Sequence, residues 1–347
     1  MPKRYQGNII TDTPTDPNGN YENSVASGVW SLGEALAFGK QGLWPTAGNA
    51  APKALFMGGE HSGGTRVDTV DSIDITTLGN ATDFGDLLSI GSFAACNIAS
   101  STRGINYGGG QNGTNVIQYF TIATAGNATD FGDATQNVNE NGGISNETRG
   151  ISFGENSSPY NRIEYITIAS TGNAAVFGND LTLYRSRLAG ASSSTRGLIA
   201  GGFGQSQYRN QIAYITIATT GNATDFGDLV YARSDLNGMS TDTRAVFSGG
   251  YSGSYQSYMD YVTIASTGNA TGFGNLSDYY SSWGCTSGGT RGVAAGPSKA
   301  PTGQSPLNTT IIDYITIPTA GNAADFGDLT VSRTRVAACS NSHGGLQ

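Results

Sequence analysis

The sequence predicts an all-β fold, a six-bladed β-propeller, and three observations predict it. Near-copies of "YITIATTGNATDFGDL" (214–229) recur six times. Their Gly-Asn pairs begin at Gly79, Gly126, Gly172, Gly221, Gly268 and Gly321, spaced 46 to 53 residues apart. A period of this size marks a solenoid, a propeller or an array. Each copy divides into four short runs separated by turn residues, and none carries the 3.6-residue apolar period of a helix. Composition agrees: 51 of the 347 residues are Gly and only 13% are charged, which favours tight turns and extended backbone.

The first element is an arm, 1–52, outside the repeat. Its "TDTPTDPNGNYENS" is extended or irregular. In "SGVWSLGEALAFGKQGLWP", Ser31 caps a short helix with Glu34 completing a capping box. Leu32, Ala35 and Leu36 give that helix an apolar stripe and Pro45 stops it. Trp30 and Trp44 either pack on the rim of the repeat domain or dock on another protein.

The second element is the repeat domain, 53–347. In the copy at 187–229, "RLAGASSS" is strand a, "TRGLIAGGF" strand b, "QIAYITIAT" strand c and "ATDFGDL" strand d. Strand b opens on a basic residue in every copy: Lys53, Arg103, Arg149, Arg196, Arg244 and Arg291. Five residues on stands a glycine: Gly58, Gly108, Gly154, Gly201, Gly249 and Gly296. Strand d carries Phe84, Phe131, Phe177, Phe226, Phe273 and Phe326. The blades span about 53–87 plus 334–342, 90–133, 136–181, 187–229, 234–276 and 282–329. The first copy lacks strand a, and the chain ends in a spare one, "LTVSRTRVAACSNSH". The C-terminal strand is therefore expected to complete blade 1 and close the ring, leaving no open edge. Its Ala337, Ala338 and Cys339 match Ala94, Ala95 and Cys96 of the second blade.

The repeated polar positions read as structure. The basic residue of strand b braces a neighbouring blade through its carboxylate or backbone carbonyls. Asp86, Asp133, Asp228 and Asp328 follow Phe-Gly, but Asn179 and Asn275 replace them in two blades, so the position needs a short turn acceptor and not a proton carrier. "DFG" stands without the rest of a kinase signature. The "NAT" sequons are turn chemistry. His61 and His343 fall on opposite faces, and no Cys or His spacing supports a metal; no cofactor is expected. Cys96, Cys285 and Cys339 sit at nearly equivalent places as small inner-layer hydrophobes.

What varies is one face. The a–b and c–d turns repeat almost verbatim, whereas the b–c and d–a loops differ in length and sequence. Those loops hold Tyr160, Tyr208, Tyr251, Tyr255, Tyr258, Tyr279 and Tyr280, together with Tyr184 and Tyr231, among Ser, Asn, Gln and Gly. That is the composition of adaptable recognition loops, and it suits sugar rings; inert solvated loops are the alternative. The net charge of −8 and the absence of a basic cluster exclude nucleic acid and anionic membrane as partners. No apolar run spans a bilayer, and the N-terminus lacks a secretory signal, so synthesis in a cytoplasm without export by the general secretory route is expected, and release as part of an assembled particle stays open.

The repeat resembles the kelch family of propellers over about 53–343, in the glycine doublet ending strand b, the strand c aromatics Tyr165, Tyr214, Tyr261 and Tyr314, and the strand d aromatic. Kelch blades usually carry Trp in strand d, where this chain has Phe-Gly. The arm resembles an N-terminal element of structural proteins of marine and cyanobacterial bacteriophages, through Lys3, Arg4, Tyr5, Gly7, Ile9, the stretch 26–32, Glu34, Trp44 and Pro45. The resemblance implies a virion component (tail fibre, tail-associated or surface-decoration subunit) released by lysis. In it the arm docks other virion proteins, with Tyr5, Trp30, Leu32, Leu36 and Trp44 as the candidate contacts. The head would present its variable face to a host-surface polysaccharide or a neighbouring subunit, without catalysis; a homo-oligomer stays open. The alternatives are a purely architectural subunit, an intracellular kelch adaptor, and a glycoside hydrolase. The last needs two carboxylates at a defined separation, and Glu60, Glu140, Glu155 and Asp260 suggest no such pair.

Overall fold

In the computed structural model, residues 4–6, 9–11, 52–61, 64–88, 96–109, 113–154, 161–179, 185–281, 284–299 and 307–346 are described. The chain forms two compact units, Met1–Ala51 and Pro52–Gln347. In the first, Arg4–Gln6 pairs antiparallel with Ile9–Thr11, setting Tyr5 opposite Ile10. The expected helix and Trp30, Leu32, Leu36 and Trp44 lie outside the described residues.

The second unit is a six-bladed β-propeller of antiparallel four-stranded sheets. Blade 1 joins Lys53–Met57, Thr69–Asp74 and Thr82–Asp86 to the C-terminal strand Ala337–Ser340. That closing strand pairs from Ala337 opposite Met57 to Ser340 opposite Ala54. Blade 2 is Cys96–Ala99, Arg103–Tyr107, Thr114–Thr121 and Thr129–Val138; blade 3 is Gly142–Ser145, Arg149–Phe153, Arg162–Thr167 and Ala175–Asn179. Blade 4 is Ala189–Ser192, Arg196–Ala200, Gln211–Thr216 and Thr224–Asp228. Blade 5 is Asn237–Ser240, Arg244–Ser248, Gln256–Thr263 and Thr271–Ser281; blade 6 is Gly284–Gly288, Arg291–Ala295, Leu307–Thr316 and Ala324–Arg333. In blades 2, 5 and 6 strand d runs past the expected blade end. The a strands of neighbouring blades touch around a closed ring.

The core lies between blades. Leu55, Met57, Val70 and Phe84 of blade 1, for example, pack on Ala99, Phe120 and Ile122 of blade 2, so each blade completes its apolar burial only against a neighbour. Strand b ends at its glycine because the backbone turns left-handed there, with φ between 60° and 77° in all six blades, a region that side chains with a Cβ resist.

The repeat signature turns out to be a clasp. In every blade strand d carries a β-bulge: Ile212 lies opposite Gly227 and Ala213 opposite Asp225, leaving Phe226 as the extra residue. The corresponding register shift occurs in the other five blades. The bulge aims the phenyl ring inward and exposes the outer edge of strand d to the next blade's c–d turn. At the seam of blades 4 and 5, the Gly268 N–H donates to the Phe226 carbonyl (2.8 Å) and the Ala270 N–H to the Asp228 carbonyl (2.7 Å). Asn269 Oδ1 accepts the Asp228 N–H at 3.0 Å. Asn127, Asn173, Asn222, Asn322 and Asn80 do the same at the other seams. The edges that would recruit another strand are thus taken.

This corrects the expectation for the residue after Phe-Gly. Its backbone, not its side chain, is what the neighbour holds, which is why Asp and Asn interchange. The brace expected of the strand b arginines is present and ends on backbone carbonyls. Arg196 Nη1 donates to the Ile264 (2.8 Å) and Ala265 (2.9 Å) carbonyls of the next blade. Its guanidinium lies 4.5 Å from the Tyr214 ring centroid, and Tyr214 meets Phe226 edge-on at 6.2 Å. Arg103, Arg149, Arg244 and Arg291 repeat the brace and the stack.

The cysteines do not share one place. Cys339 pairs with Leu55, Cys285 with Ala294 and Cys96 with Tyr107, which are three successive register positions. The matching "AAC" strings are therefore offset, and the fit of the closing strand rests on its pairing with Lys53–Met57. Cys285 and Cys339 are buried, and burial pushes both thiols up to about 12.

Candidate recognition face

On the side of the b–c and d–a loops, each seam is closed differently. One strand c position in each blade faces the preceding blade's d–a connection: Asp71, Gln118, Glu164, Ala213, Asp260 and Asp313. Where the position is polar, its acceptor atoms catch the connection as it leaves strand d. Gln118 Oε1 accepts the Leu88 N–H at 2.7 Å and Asp260 Oδ2 the Val230 N–H at 3.2 Å. Asp71 accepts the Thr330 N–H at 3.0 Å and its hydroxyl at 2.6 Å.

Two of these acids meet fully buried arginines. Arg233 Nη1 reaches Asp260 Oδ2 at 2.8 Å, and Arg333 Nη2 reaches Asp71 Oδ2 at 3.0 Å. Each guanidinium also donates to a strand b carbonyl, of Phe247 and Phe56 respectively, as a buried charge requires. The seam of blades 3 and 4 has an arginine beside an alanine: Arg185 donates to the Gly201 and Gln211 carbonyls, and Ala213 stands at the acid position. The seam of blades 5 and 6 has the reverse. Tyr280 stands where Arg233 and Arg333 stand elsewhere, and Asp313 is held by the Ser277 hydroxyl at 2.5 Å. Asp313 Oδ1 has no hydrogen-bond partner, and burial raises the Asp313 carboxyl above the usual range. At the seam of blades 2 and 3, Glu164 accepts from Tyr107 Oη (2.7 Å), Thr135 and Arg162 (3.3 Å).

Nearer the axis, Glu140, Arg187, Asp235 and Arg335 hold left-handed backbone with φ of 54° to 60°. Arg187 binds Glu140 through two hydrogen bonds of 2.9 and 3.0 Å and approaches Asp235 at 3.9 Å; Arg335 meets Glu60 at 3.4 Å. Glu60, Glu140 and Asp260, the acids weighed for hydrolysis, thus each face an arginine; Glu155 lies outside the described residues. Among the described residues no group of three or more His, Cys, Asp or Glu is placed to hold a metal ion.

The tyrosines gather at the seam of blades 4 and 5. The b–c loop of blade 4 is a small hairpin, Phe203–Gly204 with Gln207–Tyr208, and the two rings meet at 5.2 Å. Tyr208 crosses the seam to Tyr251 (6.0 Å), which packs on Tyr255 (5.5 Å). Tyr231 crosses it to Tyr258 at 4.9 Å. Tyr231 and Tyr279 are more than half exposed, at 54% and 57%, and Tyr258 is 37% exposed. Tyr280 corrects the expectation: it is buried, because its strand d extension pairs with Ser298–Lys299 of the blade 6 loop. Its hydroxyl lies 3.1 Å from Ser277 Oγ. Tyr160 lies outside the described residues.

Sequence reasoning missed Arg185, Arg233 and Arg333. The signal was there: an Arg followed by Ser or Thr precedes strand a in three blades. No protein-family model matches the chain, and no curated protein matches it.

Proposed function

We propose that this chain is a non-enzymatic recognition module whose tyrosine-lined loop face binds polysaccharide. The observation that carries the reading is the pair of aromatic contacts bridging one seam, Tyr208 with Tyr251 and Tyr231 with Tyr258. Tyrosine offers large contact area at low entropic cost, with a hydroxyl for hydrogen bonds. The turn face carries no such variation, being committed to clasping blades together. The hydrolase alternative has less support, since the described acids that would serve it neutralise arginines. The resemblance of the arm to phage structural proteins extends the proposal: the arm, with Tyr5, Trp30, Leu32, Leu36 and Trp44, docks the propeller on a virion, and many copies multiply weak contacts into useful avidity.

The test is retention of the full chain, displayed at high valency, on immobilised bacterial capsular polysaccharides and lipopolysaccharides. Retention on at least one of them, weakened at least tenfold in a Tyr231→Ala/Tyr258→Ala variant of unchanged fold, is expected. Retention on none, or retention indifferent to both tyrosines, overturns the proposal. Immunogold labelling of phage particles tests the docking half, which fails if intact particles lack the chain.

A further inference from the structure

On the turn face, the axis of the propeller is lined by serines near the end of strand a in five of the six blades. Ser192 Oγ donates to the Ser145 carbonyl (2.9 Å), Ser240 Oγ to that of Ser192 (2.8 Å), and Ser287 Oγ to that of Ser240 (2.7 Å). Ser340 Oγ continues the series onto the Ser287 carbonyl. Blade 2 breaks it, because Ala99 stands at the serine position.

The C-terminal segment enters at that break. His343 Nε2 lies 3.2 Å from the Ala99 carbonyl and 3.1 Å from Ser145 Oγ. The following turn, Gly344–Leu346, is buried at both glycines. A Cβ at Gly344 would stand 2.5 Å from the Ser192 and Thr241 carbonyl oxygens, so only glycine passes at this depth. The cavity beneath, about 30 Å³, is lined by Ser145, Ser192, Ser240, Ser287, Cys339 and His343 among others.

The ring's protonation follows from its bonds. Gly345 N–H donates to His343 Nδ1 at 3.1 Å. Nδ1 is therefore an acceptor, and the single proton sits on Nε2, facing the Ala99 carbonyl. A second proton would have to enter at Nδ1, setting two N–H donors against each other. We propose that residues 342–346 are a proton-released plug of the propeller axis, seated while the His343 imidazole is neutral and expelled when it becomes imidazolium.

Burial lowers His343 to about 4, against pulls in the other direction from the Ala99 carbonyl and the Glu147 carboxylate. Glu147 is itself held by the Ser101 N–H (3.0 Å) and hydroxyl (2.6 Å). The cavity thiols, Cys285 and Cys339, are raised to about 12 and stay neutral. A histidine depressed in the seated state stabilises seating above its ordinary value of about 6.5 and loses that contribution as pH falls towards 4 and below. The full difference weakens seating by about 300-fold.

The experiment combines an NMR titration of His343 in the full chain and hydrogen-exchange protection of the C-terminal peptide corrected for intrinsic rates. The seated His343 is expected to titrate near pH 4, with plug protection falling between about pH 6.5 and 4 while the blade strands stay protected. His343→Gln, whose amide can accept from Gly345 and donate to Ala99 without titrating, is expected to keep the plug seated throughout. Titration at an unshifted pH, plug protection that stays constant between about pH 6.5 and 4, or release of the His343→Gln plug across that same window overturns the proposal. If His343→Gln does not seat at neutral pH, the coupling of titration to exchange in the unaltered chain decides.

Discussion

The two faces of the propeller close the same seams by opposite means. On the turn face, Asn269 and its five counterparts make one bond to one backbone N–H, six times over. On the loop face, the equivalent strand c position is met by Arg233, by Arg333, by the Ser277 hydroxyl, by Tyr107 with Thr135 and Arg162, or by the Leu88 N–H, and in blades 2 and 4 it is no acid. The difference teaches where the fold is specified. Backbone bonds made by a short turn tolerate no change, so that face repeats. Side chains that each solve a local burial problem can be exchanged one seam at a time, so the other face is free to diversify.

The largest effect is expected where a loop-face solution is halved. Arg233→Met leaves Asp260 buried without its cation, costing about 3–5 kcal/mol in urea denaturation. The double variant with Asp260→Leu should regain a large part of that loss; additive losses would break the comparison. Next comes Gly227→Ala on the turn face. Its φ is 147° and a Cβ would run into the Gly268 carbonyl, so a loss of about 2–3 kcal/mol is expected. Asn269→Ala removes one clasp bond, for about 1 kcal/mol. The same loss from Asn80→Ala, measured the same way, tests whether the seams are equal.

The smallest effect sharpens the contrast most. Burial raises the Asp313 carboxyl, so Asp313→Asn, which keeps the shape and removes the titrating group, should cost under about 1 kcal/mol. With its folded value raised, Asp313 contributes stability that is complete below the ordinary carboxylate range and is lost as pH rises through the raised value. Asp313→Asn should therefore flatten the decline of stability with rising pH. A slope unchanged by the substitution would mean that burial does not raise Asp313.

Much of the scaffold was legible because it is periodic. The spacing of Gly-Asn pairs gave the blade count, and the spare strand at 337–340 gave the closure. The arginines of strand b read correctly as braces because a charge repeated in every blade has a structural partner in every blade. The site was less legible. A bulge at Phe-Gly in every strand d breaks the simple alternation that assigns side chains to faces. Partners across a seam are remote in sequence, as Asp71 and Arg333 are. Tyr280 reads like Tyr279 beside it, yet pairing with Ser298–Lys299 buries one and leaves the other exposed. That pairing depends on a loop whose course no local pattern encodes.

The division of labour between faces is tested most directly by measuring stability and polysaccharide retention on the same two proteins, Asn222→Ala/Asn269→Ala and Tyr231→Ala/Tyr258→Ala. The expected result is a double dissociation: the asparagine pair loses stability and retains polysaccharide per folded molecule, and the tyrosine pair keeps stability and loses retention. Loss of retention in the folded asparagine variant, with the tyrosine variant still bound, would contradict it.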